Sequence, residues 1–185
     1  MTRKLVFLLE EASAREMLEG LLPKVLPEGF PVQFVVFEGK SDLEKQMGRK
    51  MRAWLEPGIR FVVLRDQDSG DCRVVKDGLL DRCRKANRGD TLVRIACREL
   101  ESWYLADLEA VEKGLNLSGL AGKQGKKKFR APDRLGSPSR ELDRLTKGKY
   151  QKVGGSRAIG PHLDPRNTRS NSFHVFIDGV QGLVP

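Results

Sequence analysis

The stretch Phe61-Val-Val-Leu-Arg-Asp-Gln-Asp-Ser-Gly-Asp71 (FVVLRDQDSGD) runs from apolar residues straight into three aspartates. Ile59–Leu64 has the continuous apolar character of a strand buried on both faces, as in a parallel sheet. Turn-forming residues follow it, so the strand is expected to end near Asp66 and Asp68. Asp71 is also placed to cap a following helix.

Working outward, the same alternation repeats. Leu5–Leu9 (LVFLL), Val32–Phe37 (VQFVVF) and Thr91–Cys97 (TLVRIAC) read as further strands. Helical spacing appears between them. Ser13 with Glu16, and Ser41 with Glu44, have capping-box spacing, predicting helices over 14–22 and from 42 to about 55. A third helix is expected over 74–88, a short one over 101–105, and one over 108–115 capped by Asp107. The pattern predicts an α/β fold with a largely parallel central sheet of about four strands and helices on both faces.

In such sheets ligands bind outside the carboxyl ends of the strands. Glu10 and Glu11 close the first strand, Asp66 and Asp68 the third, and Glu99 and Glu101 follow the fourth. Carboxylates gathered on one rim repel each other unless a cation joins them. Oxygen donors with room for water suit Mg²⁺, or Mn²⁺. No Cys or His cluster suggests zinc, and His162 and His174 are expected to be structural or surface residues. An EF-hand loop would want Gly and Glu where Asp71 and Asp77 stand.

The chain has 185 residues, a formal charge of +9 and about 39% apolar residues, enough for one ordinary domain with a core. Three cysteines without CxxC spacing point to a reduced, cytoplasmic protein. No apolar run is long enough to span a bilayer, and MTRKLVFLLEE turns acidic too early for a signal peptide. The positive charge is concentrated. Lys123–Arg169 holds 14 Lys or Arg against 4 Asp or Glu, a net of +10, which leaves −1 for the remainder. Such a field suits a polyanion such as DNA or RNA. Lys126, Lys127, Lys128 and Arg130, with Lys149, Lys152 and Arg157, are the candidates to hold its backbone by charge. Stacking platforms of exposed aromatics are not evident, so DNA and RNA stand equal.

The layout read from these signals is a core over 1–113, a basic, partly irregular extension over 114–169 with short helices near 139–146 and 154–163, and a docking helix over 170–185. Together they make one compact domain. Oligomeric state is open.

A glutamate after the first strand and Asp-x-Asp after the third, here in LLEEASARE and Asp66-Gln67-Asp68, resemble the Toprim pattern of topoisomerases, bacterial primases and overcoming-lysogenization-defect nucleases. Four stretches, LLEEASAREML, VLRDQDSGDC, CRELESWYLAD and RSNSFHVFIDGV, are similar to the bacterial domain-of-unknown-function family 4276. The Toprim resemblance implies Glu10, Asp66 and Asp68 as catalytic residues. Glu11 follows Glu10 where many Toprim domains have glycine, so either glutamate can hold that role. It further implies a metal held by Glu10, Glu11, Asp66 and Asp68, with Glu101 as an additional ligand. The implied activity is Mg²⁺-dependent nucleic-acid hydrolysis in a bacterial anti-phage defence or toxin system. The alternative is a non-catalytic nucleic-acid-binding or regulatory subunit of a complex with a separate ATPase. The chain lacks a Walker A loop of its own. Tyr104, in a half-apolar stretch, reads as packed rather than as a topoisomerase nucleophile.

Overall fold

In the computed structural model, which describes residues 2–184, the apolar run at Phe61 is β3 (Ile59–Asp66), an interior strand. β1 (Lys4–Leu9) lies on one side and β4 (Leu92–Ala96) on the other, with β2 (Val32–Val36) beyond β1. The order is β2-β1-β3-β4 and every pairing is parallel. Leu5 to Leu9 and Phe61 to Leu64 are all buried, because both interior strands are covered on two faces.

The crossovers are α1 (Ala12–Leu21), α2 (Lys40–Ala53) and α3 (Cys72–Lys85). Val6, Leu8, Phe61 and Val63 meet Leu43, Met47, Leu79 and Cys83 of α2 and α3. Leu5, Phe7, Leu9, Val62 and Leu64 share the opposite core with Met17 and Leu18 of α1. Strand alternation thus divides one sheet between two cores.

Both predicted capping boxes are absent. Ser13 lies inside α1 and is buried, and Glu11 holds the cap position without a side-chain cap bond. The helix starts as soon as β1 ends, leaving no room for a serine cap. Gly39 caps α2 with φ of 94°, a conformation that suits glycine, and Ser41 falls within the helix. Asp71 does cap α3, accepting from the N–H groups of Arg73 and Val74. One of the three aspartates is therefore accounted for by helix capping.

The second half is more regular than its composition suggests. α4 (Glu101–Leu105) and α5 (Leu108–Gly114) follow β4, with Asp107 capping α5 as expected. Then come α6 (Lys127–Arg130), α7 (Pro138–Leu145), α8 (Lys152–Ile159) and α9 (Asn171–Gln181), joined by short 3₁₀ turns. Phe129, Leu142, Tyr150, Ile159 and Leu163 belong to the same core as Leu5 and Phe7. The extension expected to be partly irregular, with short helices near 139–146 and 154–163, carries helices there and packs with the core as one body. Glycine sets how closely it packs: a methyl group at Gly160 would overlap the Met17 backbone, so glycine here permits close approach to α1.

α9 lies against β4. Ser170 caps it, and Phe173 and Phe176 pack on Trp103. No helix among the described residues is long and apolar enough to cross a membrane.

Candidate functional site

β1 leads to β2 on one side and, through β2, to β3 on the other. The strand order therefore reverses between β1 and β3, where open α/β sheets form their ligand crevice. Glu10 follows β1 and Asp66 ends β3 at that position. The Asp66 N–H donates to Glu10 Oε2 at 3.1 Å, tying the two strand ends together.

Two further carboxylates reach the crevice. Glu101, at the first position of α4, is only 2% exposed, and its Oε1 accepts the Tyr150 hydroxyl at 2.9 Å. Lys152, opening α8, meets both oxygens of Glu11, at 2.7 and 2.6 Å. Tyr150 stands beside Tyr104, whose hydroxyl donates to Ser156 at 2.8 Å. Tyr104 is fully buried, in keeping with the packed role expected of it. Gly155 leaves space for the Tyr150 ring.

The charges are poorly matched. Burial pushes Asp66 well above the ordinary carboxylate range, and repulsion from Glu101, Glu10 and Glu11 adds to it. Burial also raises Glu10, with Asp68 and Glu11 repelling it and the Asp66 N–H pulling it back. Glu101 is raised by burial, partly offset by backbone and Tyr150 hydrogen bonds. Lys152 is the counterpart. Its burial favours loss of the proton, but attraction from Glu11, Glu101 and Asp66 outweighs this and holds the ammonium charged.

Asp68 behaves differently from Asp66. β3 stops at Asp66, and Asp68 takes a left-handed turn with φ of 56°. Lys40 donates to its carboxylate at 2.9 Å. The pair does not share a strand face. Arg65 lies on the Asp68 side, 4.0 Å from Glu10 and 2.5 Å from Glu44. Glu99 turns away to accept the Ser139 N–H at 2.7 Å at the start of α7, so it supports that helix rather than the rim.

Glu11, Asp66 and Glu101 are thus gathered around Lys152, and Glu10 stands between Asp66 and Asp68. Among the described residues, no three His, Cys, Asp or Glu side chains stand in ready-made metal-ligand spacing. The donors are nevertheless all oxygen, buried or half-buried, and in excess of their cations, which fits the chemistry of Mg²⁺ or Mn²⁺. Tyr150, Ser156, Lys40 and Arg65 carry no sequence motif. Only folding reveals that they surround the carboxylates.

Of the basic candidates, Lys152 alone contacts the rim. Arg157, in the same helix, pairs with Glu16 of α1 at 2.5 Å. Lys128 pairs with Glu141 and lies over Phe129. Lys126, Lys127 and Lys128 line a cleft of about 620 Å³ with Arg134, while Arg130 is an exposed residue of the same short helix, α6. Lys149 lines another cleft with Lys123 and Lys147.

A family model matches residues 9–181, from the last residue of β1 to the last of α9. The chain belongs to the DUF4276 family, described as a domain of unknown function. The match takes in every residue of this DUF4276 rim. The structure is also similar to the C-terminal region of the Xanthomonas campestris pv. campestris OLD protein, with 14% identity, a TM-score of 0.44, and coverage of 99% of this chain and 97% of that one. No curated protein sequence matches the chain.

Proposed function

We propose that this DUF4276 protein hydrolyses phosphodiester bonds in DNA or RNA, using a divalent cation held by Glu10, Asp66 and Asp68 with Glu11 and Glu101 beside them. The supporting observation is the crowding of buried, mutually repelling carboxylates at the β1–β3 switch point. When bound, Mg²⁺ or Mn²⁺ would polarise the scissile phosphate and stabilise the leaving oxygen.

The chain's own groups have distinct tasks. The Asp66 N–H orients Glu10, and the Tyr150 hydroxyl orients Glu101. Lys152 supplies a fixed positive charge suited to a non-bridging phosphate oxygen. Lys126, Lys127, Lys128, Arg130 and Lys149 hold the nucleic-acid backbone without reading its sequence. A bacterial anti-phage or toxin setting accords with this chemistry.

A second reading has its own support. Glu11, Asp68 and Glu101 already have protein partners, and no ligand-spaced trio stands ready among the described residues. That favours a binding or regulatory subunit, or one completed by a separate ATPase chain. Incubation with DNA and RNA in Mg²⁺ or Mn²⁺ separates the two. Cleavage lost in folded Asp66→Ala and Asp68→Ala supports the nuclease. Undiminished cleavage in both variants removes the assignment. Binding without cleavage, with and without an ATPase partner, favours the second reading.

A further inference from the structure

The two edges of the sheet are treated differently. At β4, α9 lies alongside: the outward N–H of Cys97 donates to Ser172 Oγ at 3.2 Å, and Arg94 donates to the Val175 carbonyl at 2.9 Å. At β2 no such cover exists among the described residues.

The ladder fixes which β2 groups are free. Leu5 N–H donates to the Pro31 carbonyl, and Phe37 N–H donates to the Leu9 carbonyl. Odd-numbered residues therefore bond inward to β1, and the N–H and C=O groups of Val32, Phe34 and Val36 face outward. Strands left this way normally carry a lysine, a bulge or a proline against pairing. Val32–Val36 carries none, and Val36 is 38% exposed.

Beside this edge runs an apolar groove of about 590 Å³, lined by Leu18, Leu22, Leu26, Phe30, Val32 and Phe34. Alternate side chains of an added strand would enter it. The flanks are acidic. Glu28 precedes β2 and Glu38 follows it, both exposed and without an ion pair among the described residues, and Asp42 accepts the Glu38 N–H. In a chain of net charge +9 this is an acidic island.

We propose that β2 takes up an extended segment of a partner protein as a fifth strand, the segment being apolar with Lys or Arg at its ends. Main-chain hydrogen bonds would give affinity and the groove would give side-chain selectivity. A second copy fits badly, since antiparallel β2–β2 pairing brings the Glu28 end of each strand to the end of the other that carries Glu38 and Asp42. Nucleic acid is repelled by the same flanks.

The test uses the full chain and a panel of nine-residue peptides with alternating Val, Ile or Phe, flanked by lysine or by glutamate. Lysine-flanked peptides are expected to bind and to shift the amide resonances of Val32, Phe34 and Val36. Val36→Pro, which removes only an outward N–H, should weaken binding at least roughly tenfold. Glu28→Lys with Glu38→Lys should shift the preference to glutamate-flanked peptides. Amide spectra confirm that each variant is folded. The proposal is overturned if no lysine-flanked peptide binds, if Val36→Pro leaves binding unchanged, or if the edge instead supports self-association lost in Val36→Pro.

Discussion

Glu10 and Asp66 are linked by a hydrogen bond from the Asp66 main chain, so two carboxylates that repel each other are held together by backbone. The bond holds the Glu10 carboxylate at the end of β3, beside the Asp66 side chain that repels it. Stability and chemistry at this rim are therefore expected to oppose one another.

Asp66→Asn should abolish cleavage and stabilise the fold. Asp66 has a folded pKa above its unfolded value, so the folded state holds its proton more tightly. Its ionisation then erodes stability as pH rises from the ordinary carboxylate range through the raised value. Urea denaturation should show the two proteins nearly equal in acid, with the variant ahead by the order of 1–3 kcal/mol at pH 8 without divalent cations. Added Mg²⁺ should narrow the gap.

Lys152→Met should weaken cleavage yet tighten Mg²⁺ uptake several-fold, since the ammonium and the cation compete for Glu11, Glu101 and Asp66. Calorimetry measures the uptake. Without metal the variant should lose about 1 kcal/mol of stability, a modest figure because Lys152 is half exposed.

Tyr150→Phe removes the hydroxyl from the buried Glu101 carboxylate. A loss of about 1.5–3 kcal/mol in denaturant unfolding is expected. The loss should shrink in acid, where Glu101 is protonated. Tyr104→Phe, which bonds only to Ser156, should cost less.

The three aspartates of the opening stretch should separate cleanly. Asp71→Ala loses the α3 cap and about 1 kcal/mol of stability while keeping cleavage. Asp68→Ala should lose cleavage and cost about 1 kcal/mol of stability, since it gives up the Lys40 pair and puts alanine at a positive φ. Melting curves and a nuclease assay on the same preparations distinguish them.

Much of the scaffold was legible because interior parallel strands leave continuous apolar runs. LVFLL and IRFVVL needed no context to be placed as β1 and β3, and their ends located Glu10 and Asp66. Capping was less legible. Ser13 and Ser41 had the right spacing, but tight connections gave the cap positions to Glu11 and Gly39. In the second half the short helices near 139–146 and 154–163 were legible, but nothing in the local sequence showed that Gly155 and Gly160 let Tyr150 and α1 approach. The Tyr150–Glu101 and Lys152–Glu11 contacts span 49 and 141 residues, and no local spacing encodes them.

Because Ile159 and Leu163 share a core with Leu5 and Phe7, the carboxylate-bearing and basic portions of this chain are not separable parts. A polypeptide cut after residue 113 would keep every acidic candidate yet forfeit Tyr150 and Lys152 along with Phe129, Leu142, Ile159 and Phe176 from the core on one sheet face. Grafting residues 1–113 alone onto another protein should therefore yield an insoluble fragment, not a portable cleavage module.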